Sequence, residues 1–200
     1  MGTRKPRTGR IVRLAIADPP YPPQISERFD LVDGSARLST RSRARRYYGD
    51  HPDAGEWDLP ERHRRLMLEL LAEFDGWAIA TSPDGLAAYG DLPTSARIFA
   101  WVVPNRPPSG RRIRACWEAV ILFPPEGRRG RIQGRAAVPD VLIAPGPRIG
   151  FTGAKPAVWT RWVLDALGYD PDLDELVDLF PGSGSVSTVL AHHQPSIGGM

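Results

Sequence analysis

The chain reads as an α/β protein built on a mostly parallel sheet, and three observations predict it. Short apolar, β-rich runs alternate with segments of helical periodicity. Most of those runs stop at proline or glycine. Two of them, in IADPPY and VDLFPGSGS, carry an acid at or beside a rigid loop. In parallel sheets ligands bind beyond the carboxyl ends of the strands, so two strand ends with unusual chemistry form the main clue to function.

The elements follow in order. Residues 1–10 are a basic tail containing glycine and proline, expected to be mobile, and residues 11–200 are expected to form a single domain. RIVRLAIA (10–17) is a β-rich run that ends where Asp18-Pro19-Pro20 begins, because proline removes a ladder donor and fixes φ. Residues 22–58 are mostly polar and predict a long loop with one helical turn. LPERHRRLMLELLAEF (59–74) predicts a helix, with Pro60 early and Leu66, Leu70 and Phe74 at helical spacing. GWAIATS (76–82) is a strand, GLAAYGDL a short helix, ARIFAWVV (96–103) and RIRACWEAVILF (112–123) two further strands. Residues 124–150 are basic and glycine-rich apart from a short VLIA run. AVWTRWVLDALG (157–168) predicts a helix with Val158, Trp162 and Ala166 on one stripe and Gly168 as its stop. LVDLF (176–180) is a short buried-type strand, PGSGS a turn, and VSTVLAHH the start of a helix.

Composition bounds the class of protein. The 200 residues suffice for one sizeable core, and the net charge is only +3. A single cysteine, Cys116, excludes an internal disulfide and suits a reducing, cytoplasmic setting; it lies in an apolar run and reads as a buried small hydrophobe. No apolar stretch approaches the ~20 residues of a membrane span, and MGTRKPRTGR lacks an apolar signal core, so a soluble intracellular protein is expected. No Cys/His spacing suits zinc; the adjacent His192 and His193 read as a helix end, and His51 and His63 carry no assigned role.

Two constellations carry chemistry. In VDLFPGSGS, Gly182 and Gly184 allow a tight turn and close approach of a ligand, although a plain strand–helix turn needs the same glycines. Asp178 is harder to explain blandly, because an acid in an apolar strand needs partners and can receive a cationic or amine-bearing ligand. DPPY is by itself a proline-rich stop with an acid; its place directly after an apolar strand raises its weight.

Together these residues resemble the amino-group methyltransferases that use S-adenosylmethionine to modify adenine N6 or cytosine N4 in DNA. Asp18-Pro19-Pro20-Tyr21 matches that family's catalytic motif, and Asp178-Leu179-Phe180-Pro181-Gly182-Ser183-Gly184 its donor-binding loop. Lys155-Pro156 and the helix after it match a segment the family places before the glycine loop. The catalytic motif comes first and the donor loop last, the order of the beta class. The resemblance implies a Rossmann-like doubly wound methyltransferase sheet with circularly permuted motifs. It implies catalytic roles for Asp18, Pro19, Pro20 and Tyr21, and S-adenosylmethionine held by Asp178, Phe180, Gly182, Ser183, Gly184 and Lys155. The family continues beyond the donor loop into further strands, one carrying an acid for the donor ribose, whereas this sequence stops at AHHQPSIGGM. The expectation is therefore a sheet trimmed after the donor loop, or a donor site completed by a homodimer or partner subunit.

The chemistry agrees with the motif. An exocyclic amine on a base is a poor nucleophile because its lone pair is delocalised into the ring. A carboxylate from Asp18 and the Pro19 carbonyl, accepting its two N–H bonds, draw the nitrogen towards sp³, and Tyr21 offers a stacking face. Such a base must be flipped out of a duplex or single-stranded. Arg41, Arg43, Arg45 and Arg46, followed by Tyr47 and Tyr48, mix charge with aromatics as nucleic-acid contacts do. Arg128, Arg129, Arg131 and Arg135 occupy 124–150, a very short stretch where the class inserts its recognition region. The reading is a DNA adenine N6 methyltransferase. Its rivals are a cytosine N4 or RNA enzyme on the same machinery, and a non-catalytic nucleic-acid-binding relative.

Overall fold

The computed structural model describes residues 11–22, 30–32, 35–37, 54–107, 113–130, 135–147, 153–182 and 184–190. Among the described residues the strands are β1 (Val12–Ala17), β2 (Asp30–Val32), β3 (Ser35–Arg37), β4 (Gly76–Thr81), β5 (Arg97–Val102), β6 (Trp117–Phe123), β7 (Val141–Ile143) and β8 (Asp174–Asp178). The α-helices are α1 (Pro60–Glu73), α2 (Ala157–Leu167) and α3 (Ser185–Leu190). Six strands form one sheet in the order β7-β5-β6-β4-β1-β8, and β2 and β3 form a separate antiparallel pair.

The fold is Rossmann-like α/β. β1 pairs in parallel with β4 on one side and β8 on the other, and β5 pairs in parallel with β7. β6 runs antiparallel to both β4 and β5, so the sheet is mixed. β1 and β4 sit centrally, and both read as near-continuous apolar runs because helices cover both faces. Leu14 and Ile16 point to one face, where they meet Trp159, Val163 and Leu167 of α2 and Val186 and Val189 of α3. Ala15 and Ala17 point to the other, against Leu66, Met67 and Leu70 of α1. The period-two alternation of a strand thus divides one run between two cores.

This arrangement sets up a topological switch point. From β1 the chain passes through α1 to β4 on one side, while β8 arrives after α2 on the other. The carboxyl ends of β1 and β8 therefore lie together, where doubly wound sheets bind ligands.

Several expectations need correction. The 22–58 region holds the β2–β3 pair and a 3-10 turn at Ala54–Asp58, and the segment expected as a helix around Leu86 is a 3-10 turn, Asp84–Tyr89. The strand expected from 112 begins only at Trp117. Ahead of it, Arg114 donates to the carbonyls of Pro104 and Arg106 and ties down a loop. Cys116 in that approach is half-buried, not a core residue. On α2 the apolar stripe is rotated by one residue from that expected. Val158 is 41% exposed, while Trp159, Val163 and Leu167, each four apart, are buried along with Leu164.

In the basic stretch after β6, Arg128, expected as a nucleic-acid contact, is tied into the fold. Its guanidinium makes two bonds to the Asp174 carboxylate, at 2.5 and 2.6 Å, and a third to the Gly168 carbonyl at 3.0 Å. Arg135 donates to the Tyr169 carbonyl at 2.8 Å. A buried acid at the start of β8 needs such a partner, so these arginines anchor the α2–β8 connection. Arg129 lies over the Phe123 ring, 5.2 Å from its centroid. Residues 1–10, Arg41, Arg43, Arg45, Arg46, Tyr47, Tyr48, Arg131, Ser183, His51, His192 and His193 lie outside the described residues. Among the described residues no helix is long and apolar enough to cross a membrane.

The rotated stripe makes a direct prediction. Leu164→Ala should lower the unfolding free energy by about 2–5 kcal/mol, as for a fully enclosed leucine. Val158→Ala should change it by no more than roughly 0.5 kcal/mol. Chemical denaturation of the two variants checks both.

Candidate active site

β1 ends at Ala17, and Asp18-Pro19-Pro20-Tyr21-Pro22 leaves the sheet as a stiff loop. Pro19, Pro20 and Pro22 are buried, while Asp18 and Tyr21 are half-buried. The turn after β4 lies against this loop. At Gly85 a β-carbon would stand 2.5 Å from Thr81 Oγ1 and 3.1 Å from Pro22 Cδ, so only glycine allows the approach.

Three segments bring charge to the loop. Lys155, buried ahead of α2, donates from Nζ to both Asp18 oxygens, at 2.8 and 2.7 Å, and to the Gly153 carbonyl at 3.1 Å. Glu118 on β6 accepts the Tyr21 hydroxyl at 2.6 Å and a bond from Arg106, and its Oε2 lies 3.6 Å from Lys155 Nζ. The ammonium also stands 5.3 Å from the Tyr21 ring centroid and 5.8 Å from that of Trp159. Lys155, expected from the motif to touch the donor, is found on the Asp18 carboxylate.

The protonation states follow from enclosure and neighbours. Burial raises Asp18 above the usual carboxylate range, and Lys155 opposes this without cancelling it. Burial would raise Glu118 too, but Lys155, the Tyr21 hydroxyl and Arg106 together hold it below its ordinary value. Tyr21 is pushed well up, by burial first and then by the negative charges of Glu118 and Asp18, so it stays a phenol that donates.

The second strand end lies beside the first. Ile16 is the register partner of Asp178, and the Leu179 N–H donates to the Ile16 carbonyl at 3.0 Å. Asp178 Oδ1 accepts the Phe180 N–H at 3.2 Å, whereas Oδ2 is buried with no hydrogen-bond partner. Burial raises Asp178, and the nearby charge of Asp18 adds to it against the Phe180 bond. Gly182 and Gly184 take φ values of 42° and 74°, and the Gly184 N–H closes a turn on the Pro181 carbonyl at 2.7 Å before α3 starts. A β-carbon at Gly184 would meet nothing within 4 Å. The turn thus needs glycine for its backbone, and it borders open space.

Sequence reasoning missed the support beneath these ends. Phe180 packs edge-on against Trp57, Trp57 against His63, and His63 against Tyr89, at centroid distances of 5.2, 5.4 and 5.4 Å. His63 is fully buried, with Nε2 2.9 Å from the Trp57 carbonyl and Nδ1 3.2 Å from the Tyr89 hydroxyl. A carbonyl can only accept, so Nε2 carries the proton and Nδ1 accepts from Tyr89. Glu118 and Arg106 were also passed over. Glu118 did carry a signal, an acid inside the apolar run WEAVILF, the same signal that singled out Asp178. Among the described residues no group of three or more His, Cys, Asp or Glu side chains is placed to hold a metal ion.

Fold and site together define an α/β protein with paired acidic strand ends at a switch point. No protein-family model matches the chain, and no curated protein does. Among solved structures, the chain is similar to one described as the crystal structure of the M1.HpyAVI–SAM complex. The two are 13% identical, the match covers 91% of this chain and 78% of that one, and the TM-score is 0.48.

His63 gives the site a pH signature. Burial lowers its pKa, the Trp57 bond opposing, while an unfolded histidine titrates near ~6.5. Its contribution to stability is complete above that value and is lost as the pH falls through the folded-state pKa. Unfolding free energies measured between neutral and mildly acidic pH should fall on acidification, and His63→Gln should lack that part of the slope.

Proposed function

We propose that the chain transfers a methyl group from S-adenosylmethionine to the exocyclic amine of a nucleobase, adenine N6 in DNA. The observation that carries this reading is the juxtaposition of Asp18, on its proline loop, with Asp178, whose buried Oδ2 lacks a partner beside a glycine turn. An enclosed carboxylate oxygen without a donor calls for a ligand that donates a hydrogen bond or carries positive charge. S-adenosylmethionine does both, and the open space at Gly184 suits a close approach. Asp178, Phe180, Gly182 and Gly184 would hold it, and it supplies an electrophilic methyl on a sulfonium sulfur.

The chain's own residues do the rest. Asp18 and the Pro19 carbonyl accept the two amine N–H bonds and free the nitrogen lone pair, and Tyr21 stacks on the base. As the N–C bond forms, the methyl–sulfur bond would break with its electron pair going to sulfur to leave a neutral thioether; the nitrogen sheds a proton, and enclosure makes Asp18 a stronger base for receiving it. Most of the remaining effect is alignment, because the methyl on a sulfonium sulfur is already electrophilic. Aspartate at the head of the motif favours adenine over cytosine. Arg41, Arg43, Arg45, Arg46, Tyr47 and Tyr48 are proposed to meet the phosphates and flanking bases of the DNA, in the cytoplasm.

The test is mass spectrometry of nucleosides from mixed-sequence DNA incubated with the protein and S-adenosylmethionine. N6-methyladenine is expected, and Asp18→Ala should reduce it by at least about 100-fold with DNA affinity nearly intact. Methylated cytosine would move the target base. No methylated nucleoside, or full turnover by the variant, would overturn the reading.

A further inference from the structure

Glu118 is a buried charge of the site with three separate partners, and neither strand-end motif includes it. Its strand, β6, is the antiparallel member of the sheet, and its side chain is only 10% exposed. A carboxylate enclosed in a sheet is costly unless fully partnered. Here the partners come from three separate segments: Tyr21 after β1, Arg106 after β5, and Lys155 before α2. Tyr21 and Lys155 also border Asp18. Lys155 currently occupies both Asp18 oxygens, the atoms an incoming amine has to reach.

We infer that Glu118 is the positioning residue of this site: it tethers the Tyr21 ring and provides the second carboxylate to which Lys155 moves when a substrate amine takes its place on Asp18. The inference rests on the methyl-transfer reading for the identity of the amine. The geometry is suited to such a move. The Lys155 Nζ already lies 3.6 Å from Glu118 Oε2, so a shift of about 1 Å makes a charge-assisted bond there while releasing Asp18. The ammonium stays paired throughout, which a buried cation requires. Arg106 holds the other Glu118 oxygen, so the carboxylate stays in place as its partner moves.

Two variants separate the two duties. Glu118→Gln retains an oxygen for the Tyr21 hydroxyl but loses the charge that attracts Lys155. It should lower kcat about tenfold or more with KM for adenine-containing DNA within about twofold. Tyr21→Phe retains the Glu118 charge but loses the tether, and should mainly raise KM, by about tenfold. Variants that show the same split as each other, or that change only the melting temperature, overturn the assignment. A second readout needs no turnover. The sequence has only two lysines, Lys5 and Lys155, so the ¹⁵N resonance of the Lys155 ammonium is readily assigned. Adding a single-stranded, adenine-containing oligonucleotide should move it in the wild-type protein and leave it in place in Glu118→Gln. A wild-type signal that does not move overturns the inference even if methylation is observed. A signal that moves without any methylation leaves Glu118 in this role and removes the methyl-transfer reading instead.

Discussion

The parallel pairing of β1 with β8 is the constraint on which the site depends. It joins residues some 160 positions apart in sequence, from Val12 opposite Asp174 to Ile16 opposite Asp178. No local preference brings these strands together. The pairing is stabilised by α2 and α3, which lay Trp159, Val163, Leu167, Val186 and Val189 across Leu14 and Ile16. The Arg128–Asp174 contact secures the entry to β8. A slip of one residue in the register would turn Asp178 to the other face of the sheet and separate the two acidic ends.

The second theme is the management of enclosed charge. Three carboxylates, Asp18, Glu118 and Asp178, lie at one end of the sheet, and each answers its enclosure differently. Glu118 has Tyr21, Arg106 and Lys155, and its ionised form is stabilised. Asp18 has Lys155 and yet stays above its ordinary value. Asp178 has one backbone N–H and one oxygen with no partner. The series runs from a satisfied structural charge to one that is short of a ligand. A fold gains no stability from that shortfall, and among the buried side-chain atoms of the described residues without a hydrogen-bond partner Asp178 Oδ2 is the one carboxylate oxygen, which is the ground for the proposed donor contact.

Much of this was legible in the sequence, for local reasons. β1 and β4 announce themselves as apolar runs closed by Pro or Gly, and α1 by its Leu66–Leu70 spacing, whereas β8 starts two residues before the expected LVDLF, ends at Asp178 and is only partly buried. Asp18 and Asp178 stand out as acids at strand ends, and the structure brings those ends together. What was not legible is long-range. The antiparallel direction of β6 is not written in WEAVILF, because strand residues look alike in either direction. Arg128 reads as solvated or phosphate-binding until Asp174, 46 residues away, is placed beside it. Glu118 was visible as an anomaly, but its partner Tyr21 lies 97 residues away. The α2 stripe was misjudged by one position because Trp162 belongs to both candidate stripes and decides nothing.

The central claim is that the carboxyl ends of β1 and β8 together build a site for a cationic methyl donor. Calorimetric titration of S-adenosylmethionine into the purified chain, alone and with mixed-sequence DNA, tests it most directly. The account predicts saturable binding at micromolar level, strongly weakened in Asp178→Ala, where the partnerless carboxylate is gone. Absence of binding in both conditions, or binding indifferent to Asp178, would contradict it.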